Sequence, residues 1–414
     1  MANITNIVLT INAGSSSIKF AAYVVASEEE LSPMAAGQIQ GIGGAATFSA
    51  KTVFGRKTSF VIDETHGEVG HKAGLQAILD WLQDVRPDAR VLAVGHRVVH
   101  GGPDYAEPML LNAARIEDLR ALTPLAPLHQ PHNIAGIEAA MHAFPKAAQV
   151  ACFDTAFHRT HPYVADTFAL PRRFYDEGIR RYGFHGLSYE FIVRRLHQVY
   201  PALVAGRVVV AHLGNGASAC AMIDGRSIAS TMGFTALDGL PMGTRCGQLD
   251  PGVVLYLSAE KKMSAQAITD LLYNDSGLKG MSGISNDMRE LEASDAPAAK
   301  DAIDYFVSRI RREIGGLAAA IGGLDGIIFT GGIGENSWRV REAVLDDMAW
   351  LGVIYDKGAN QQSAQFISTP KSSIQVLVLK TDEERMIAEH TTATAGLMRQ
   401  LAPIRGSRAL AETS

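Results

Sequence analysis

Apolar residues fall along the chain in short blocks, separated by clusters of glycine, serine and asparagine. Residues 4–11 (ITNIVLTI) are β-branched and apolar, NAGSSS interrupts them, and IKFAAYVV resumes the run, which predicts strand, tight turn, strand. A weaker echo lies at 207–223, where RVVVAH, LGNGAS and ACAMI repeat that order and suggest an internal duplication. VLAVGHRVV, AQVACFD, GIIFTGG and IQVLVLK read as further strands. Ile303, Phe306, Val307, Ile310, Ile314 and Leu317 recur every three or four residues, the spacing of a helix with one buried face, and that helix ends in glycines. Helices are also predicted over 133–144, 188–200, 265–273, 338–350 and 383–399, with Asn133, Ser188, Ser337 and Asp382 as N-caps. Strands alternating with helices make an α/β fold.

Length and composition narrow the class. A chain of 414 residues suits two domains, and 47% hydrophobic with 20% charged residues excludes global disorder and fibrous repeats. The net charge of −5 gives no overall positive field for nucleic acid or an anionic membrane, so small solutes are the expected partners, with a local basic pocket still allowed. Cys152, Cys220 and Cys246 lie far apart and outline neither a disulfide framework nor a four-ligand zinc site, which fits a reducing cytoplasm. The start, MANITNIVLTINAG, has no basic residue before its short apolar run and reads as unprocessed and soluble. The echo puts a domain boundary near residue 155.

Three glycine-rich turns invite phosphate. Asn12, Ala13, Gly14, Ser15, Ser16 and Ser17 offer backbone N–H groups and hydroxyls with Lys19 just beyond, equally the makings of a solvated hairpin turn. Gly214–Ala219 fits G-x-G-x-x-A, but ACAMI continues as strand where a dinucleotide fingerprint needs a helix. The dipeptide Gly-Lys occurs nowhere, which excludes a Walker A loop. Thr330–Ser337 follows a strand and precedes a helix, so backbone amides and a helix start face one point.

Fixed charges accompany these turns. Arg97 ends a strand and Arg245 sits in a loop rich in Gly and Pro; guanidinium forks there bind carboxylate or phosphate, or else serve as ordinary ion-pair partners. His185 in RYGFHGLS can donate to a phosphate oxygen or be structural, and Asp154 at a strand end suits orienting a cation or an Arg. The HxxH pairs His129/His132 and His158/His161 lack HExxH context and a third ligand, which argues against a metal. Glu383-Glu384 either holds Mg²⁺ or favours a helix dipole.

Taken in order, INAGSSSIKF, GHRVVHGG, APLHQPHN, CFDTAFH, RYGFHGLSY, HLGNGAS, GFTALDGLPMGTRCGQLDPG, GISNDMREL, FTGGIGENS and TDEE closely resemble the acetokinase family of acetate, propionate and butyrate kinases, over nearly the whole chain. The resemblance implies two actin-like (ribonuclease H-like) domains with duplicated βββαβαβα cores and a nucleotide cleft between them: 1–155 with a C-terminal helix of about 385–414, and 156–384 carrying most of the nucleotide site. It implies Asn12, Ser15, Ser17 and Lys19 in the first phosphate loop, His212, Leu213, Gly214, Asn215 and Gly216 in the second, and Gly332, Ile333, Gly334, Glu335 and Asn336 around ATP or ADP. Arg97 and Arg245 would hold the acyl carboxylate and the moving phosphoryl group. Asp154 resembles the catalytic Asp, His185 the transition-state stabiliser, and Glu383 with Asn12 the Mg²⁺ (or Mn²⁺) residues. A cytoplasmic homodimer acting on acetate or acetyl phosphate is the implied state.

The chemistry suits such equipment. A carboxylate is already ionised at pH 7 and needs no general base; the difficulty is bringing two anions together. Departures bear on the acyl pocket: Ala236 replaces the family's usual Pro beside Val99, Leu128 and Phe184, which widens the pocket toward propionate. Gln130 stands in place of Asn, and Leu187 and Tyr189 replace the usual Thr and His. A sugar or glycerol kinase, or a non-catalytic actin-like switch, are the competing classes; the first wants a carboxylate base, and the second has no use for the Arg245 loop.

Overall fold

The computed structural model describes residues 4–14, 16–27, 30–62 and 69–398. The chain forms two compact units: one takes in the chain through Ala156 and resumes at Asp382, the other is Phe157–Thr381.

The first unit is built on strands β1 (Thr5–Ala13), β2 (Ser17–Val25), β3 (Leu31–Gln40), β4 (Ala46–Thr52), β5 (Lys57–Ile62), β6 (Ala89–Val98), β7 (Met109–Leu110) and β8 (Ala148–Phe153), in the order β5-β4-β3-β2-β1-β6-β8-β7. β1 to β5 form an antiparallel meander, while β6 and β8 run parallel to β1. Successive side chains of β1 serve opposite faces. Ile7, Leu9 and Ile11 join Phe20, Phe48, Leu75, Ile78 and Trp81 in the core beneath helix His71–Val85, whereas Val8 packs with Tyr23, Ala93 and Ala388 of helix Glu383–Thr394.

The second unit carries β9 (Arg207–Leu213), β10 (Ala217–Ile223), β11 (Arg226–Ser230), β12 (Gly326–Thr330) and β13 (Gln375–Val378), ordered β11-β10-β9-β12-β13. Three antiparallel strands are followed by two parallel ones. The run β3-β2-β1-β6-β8 has the same design, so the sequence echo is the start of a duplicated topology. Helix Gly186–Val199 covers one face through Tyr189, Ile192, Val193 and Leu196, which meet Val208, Val210 and Ile328, and helix Pro297–Ala320 lies against β9 and β10.

Several boundaries differ from expectation. The helix through Ile303–Leu317 spans Pro297–Ala320, passing Gly315 and Gly316 before stopping ahead of Gly322. Ser337 and Asp382 do cap helices, accepting from the amides of Val340 and Arg385. Asn133 and Ser188 do not: the helices begin earlier, at Gln130 and Gly186, because Pro131 suits a first turn and His185 takes the N-cap place in left-handed conformation. The helix begun at Trp338 stops at Asp346 and the one begun at Glu383 stops at Thr394. The strand in GIIFTGG ends at Thr330, and Gly331–Asn336 is helical. The expected continuation beyond 398 lies outside the described residues.

Candidate functional site

In the first unit, Asn12 near the end of β1, Arg97 near the end of β6 and Asp154 just past β8 stand at the carboxyl ends of neighbouring parallel strands, where open α/β sheets place ligands. Asp154 is 1% exposed and grips Arg97 bidentately, accepting from Nε at 3.0 Å and Nη2 at 2.5 Å. Arg97 Nη1 donates to Asn12 Oδ1 at 3.3 Å, and Glu383 Oε2 lies 3.8 Å from Nε. Burial opposes the charge on Arg97, but Asp154 and then Glu383 outweigh it and hold the guanidinium above its ordinary range. Burial, then the charge of Glu383, pushes the Glu384 carboxyl up, with Lys19 acting the other way. Asp154, Glu383 and Glu384 against Arg97 and Lys19 leave one negative charge in surplus among hard oxygen donors. That fits a divalent cation held by one or two side chains, phosphate oxygens and water. Among the described residues no three His, Cys, Asp or Glu side chains gather into a closed metal cage.

The first glycine turn is fixed by residues outside it. Gly14 N donates to Ser17 O, the His71 ring reaches Gly14 O at 2.8 Å, and Asn133 Nδ2 donates to Ala13 O at 2.7 Å. Asn133 Oδ1 also accepts from Val99 N at 2.9 Å, so one buried amide ties the first glycine turn to the end of the Arg97 strand. Ser15 lies outside the described residues. Lys19 is exposed on β2, opposite Asn12.

In the second unit the turn between β9 and β10 is closed by Gly214 N donating to Gly216 O, and Asn215 is held by Gly243 N and Asn286 Nδ2. A Cβ on Gly216 would lie 2.8 Å from Arg245 Nη2 and 3.2 Å from His185 Nε2, so only glycine admits both groups. Arg245 Nη1 donates to Ala236 O at 2.7 Å. His185 stands at φ 58, unusual for a residue with a side chain. Its ring stacks on His212 with centroids 4.3 Å apart, and its Nδ1 lies 2.9 Å from Ser218 Oγ. His212 Nδ1 meets Ser188 Oγ, which also meets Thr381 Oγ1, both at 2.8 Å. From behind, fully buried His158 has Nε2 2.9 Å from Phe184 O and Nδ1 2.8 Å from Ser227 Oγ. Burial pulls the His158 imidazole down to about 4, so the ring is neutral at pH 7 and its Nε2–H donates to that carbonyl.

The third turn, Gly331–Asn336, is braced by its own polar side chains. Glu335 Oε1 accepts from Gly331 N at 3.0 Å and Thr381 N at 3.1 Å, and Asn336 Nδ2 donates to Gly332 O at 2.8 Å. Arg341, with no exposed surface, donates to Gly334 O, to Asn360 Oδ1 and O, and to Ser363 Oγ, all neutral acceptors. Gly332 and Asn336 are exposed and Ile333 is half-buried, so that edge of the turn faces outward.

Thus Asn12, Arg97, Asp154 and Glu383 come together in the first unit, and His185, His212, Gly216 and Arg245 in the second. Of the acyl-pocket residues, Val99 and Leu128 belong to the first unit, Phe184 and Ala236 to the second. Leu213 is buried and leaves only its backbone for a ligand. Sequence reasoning missed Asn133, His158, Ser218 and Arg341 as supports. Asn133 was read only as an N-cap, His158 only within an HxxH pair and Ser218 only within the HLGNGAS turn, while nothing in the sequence marked Arg341.

The model of the Acetokinase family matches residues 7–389. An acetate kinase of Methylocella silvestris is 60% identical over 392 residues, 93% of this chain and 97% of that protein. One from Nitrobacter hamburgensis is 53% identical, covering 93% of this chain and 95% of its own length. Among solved structures, a propionate kinase from Francisella tularensis superposes with TM-score 0.86 at 36% identity, over 94% of this chain and 99% of that one. The Porphyromonas gingivalis acetate kinase gives 0.84 at 34% identity, with the same coverages.

Proposed function

The chain belongs to the acetokinase family, and from that premise we propose that it transfers the γ-phosphoryl group of ATP reversibly to acetate, giving acetyl phosphate and ADP. The transfer is direct and in-line, and propionate is a second substrate. The observation that carries this reading is the Arg97–Asp154 pair: a guanidinium locked by a buried carboxylate at parallel strand ends, with Asn12 beside it. Such a group keeps its charge whatever the ligand state and offers its remaining N–H bonds to an anion.

Arg97 receives the acyl carboxylate, and Asp154 fixes the direction of its fork. Val99, Leu128, Phe184 and Ala236 are the residues proposed for the acyl methyl group, alanine in place of proline leaving room for one more carbon. Arg245 and His185 donate to the equatorial oxygens of the moving phosphoryl group, where charge is spread in the transition state. Ser15, Ser17, Lys19 and the amides of Gly214–Gly216 hold phosphate; Gly332–Asn336 holds the nucleoside end, with Glu335 and Asn336 keeping the turn in shape. The second unit, Phe157–Thr381, thereby carries most of the nucleotide site. Asn12 and Glu383 would hold Mg²⁺, which when bound neutralises phosphate charge.

The cytoplasm, where ATP is made and used, is the proposed compartment; no helix among the described residues is long and apolar enough to cross a membrane. A homodimer is proposed through helix Pro251–Ala259, PGVVLYLSA, none of whose residues is buried although Leu255 is 69% and Tyr256 51% exposed. Leu255→Glu should yield monomers in sedimentation velocity, and an unchanged sedimentation coefficient would discard that face.

The activity is tested by incubating the purified chain and MgATP with acetate, propionate, butyrate or glycerol, and trapping acyl phosphate with hydroxylamine. Hydroxamate should form with acetate and propionate. ADP release with glycerol alone, or none with any acceptor, would overturn the assignment.

A further inference from the structure

Behind His185 stand two hydroxyls that the phosphoryl chemistry does not itself require. Ser218 Oγ lies 2.9 Å from His185 Nδ1, and Tyr189 Oη lies 2.5 Å from the same Ser218 Oγ. Ser218 sits on β10 directly opposite His212, and Tyr189 sits on helix Gly186–Val199, one turn beyond His185; neither has exposed surface. The three groups therefore form a line running from the apolar core of the second unit to the imidazole.

Proton counting orders that line. A neutral imidazole carries one N–H, and the nitrogen that lacks it can only accept. His185 Nε2 is the nitrogen turned toward Gly216 and Arg245. To donate there, Nε2 must keep the proton, so Nδ1 must accept one from Ser218. Ser218 has a single proton to give, and its oxygen then accepts from the Tyr189 phenol, which is protonated at neutral pH.

We propose that Tyr189 and Ser218 are positioning residues that set the tautomer of His185, presenting Nε2–H to the transferring phosphoryl group. A phenol at this place passes on its hydrogen bond to Ser218. The inference rests on the role given to His185 above.

The groups set against His185 include the His212 ring stacked on it and Ser218 at its Nδ1, with Arg245 on the Gly216 side and Tyr189 behind Ser218. The test measures kcat and both KM values of Tyr189→Phe, Ser218→Ala, Ser218→Thr and His185→Ala, with Tyr189→Phe repeated in the His185→Ala background. Tyr189→Phe keeps the buried ring, so folding is preserved. We expect Tyr189→Phe and Ser218→Ala to lose roughly 10- to 100-fold in kcat, the usual loss when a group orienting an active imidazole is removed. KM should stay within about twofold, and Ser218→Thr should restore activity. In the His185→Ala background Tyr189→Phe should add no further loss. Wild-type kcat in Tyr189→Phe, or an undiminished loss in the double variant, would overturn the relay. Wild-type turnover in His185→Ala would instead overturn the role of His185 itself.

Discussion

Gly216→Ala adds one methyl group to the second phosphate turn, and its consequence can be worked from the geometry. The new Cβ would stand 2.8 Å from Arg245 Nη2, 3.2 Å from His185 Nε2 and 3.5 Å from His185 Cε1. Gly216 is not among the glycines with left-handed φ, so alanine strains no backbone there. The crowding must be relieved at the guanidinium, which has to retreat by about half an ångström to reach ordinary contact. Retreat is not free, because Nη1 is held by Ala236 O at 2.7 Å and the His185 ring by its stack on His212. A misplacement of about 1 Å costs on the order of 10²-fold, so half that distance shared by two donors should lower kcat roughly 10- to 100-fold, about 1.4–2.7 kcal/mol of barrier. Initial rates of ADP release at saturating acetate and MgATP read that loss, and a thermal melt should show Tm within about 2 °C of the parent. A variant that melts with the parent and turns over within twofold of it would refute the placement of both donors at the reacting phosphorus.

Three further outcomes are expected. Asp154→Asn leaves the Arg97 fork half-answered beside a buried site, and should cost about 3 kcal/mol in a urea titration and on the order of 10²-fold in kcat; a variant equal to the parent in both would remove the pair from the mechanism. Arg341→Lys cannot span the four acceptors around Gly334 and Asn360, so KM for ATP should rise roughly fivefold or more, by about one hydrogen bond's worth, with KM for acetate unchanged; equal rises in both would show general unfolding instead. His96 and His158 are pulled down to about 4 by burial and His161 to about 2, burial again leading. These rings are neutral when folded but protonate once unfolded, so the stability they lend is full above pH 6.5 and is lost as pH falls toward 4, by at most roughly 1.4 kcal/mol per pH unit for each ring. Urea midpoints at pH 7, 6 and 5 should fall steeply, and a flat series would contradict their burial.

What the sequence made legible follows from how much each segment depends on its neighbours. β1, β2, β9 and β10 were readable because both faces of these strands are buried, which forces near-continuous runs of Val, Ile, Leu and Ala. β3 to β5 were not: Ala35, Ala36, Gly37, Ser49 and Thr58 make a half-open sheet with little apolar contrast. Helix His71–Val85 carries helical spacing in Leu75, Ile78 and Leu82 and was legible in principle. Asn133 and Ser188 were misread as caps because a cap and a buried polar tie use the same residue types; only the fold shows that Asn133 spans Ala13 and Val99, residues 120 and 34 positions away. The glycine turns were visible as turns, but the sequence could not tell which amides are spent internally, as Gly331 N is on Glu335.

That last detail explains how two copies of one topology can take different parts in one reaction. In the first unit the carboxylate at the strand ends, Asp154, is answered by a guanidinium, the fork proposed above to receive an anion. In the second unit the corresponding edge carries Glu335, which accepts from Gly331 N and Thr381 N instead, closing the ends of β12 and β13 with neutral amides. A carboxylate aimed outward there would repel a polyphosphate; one folded back onto amides is silent. The hairpin turn between β9 and β10 is then left with uncharged backbone, one guanidinium and stacked imidazoles, which is the composition the proposed phosphate role asks of it: donors to an anion with no carboxylate to repel it.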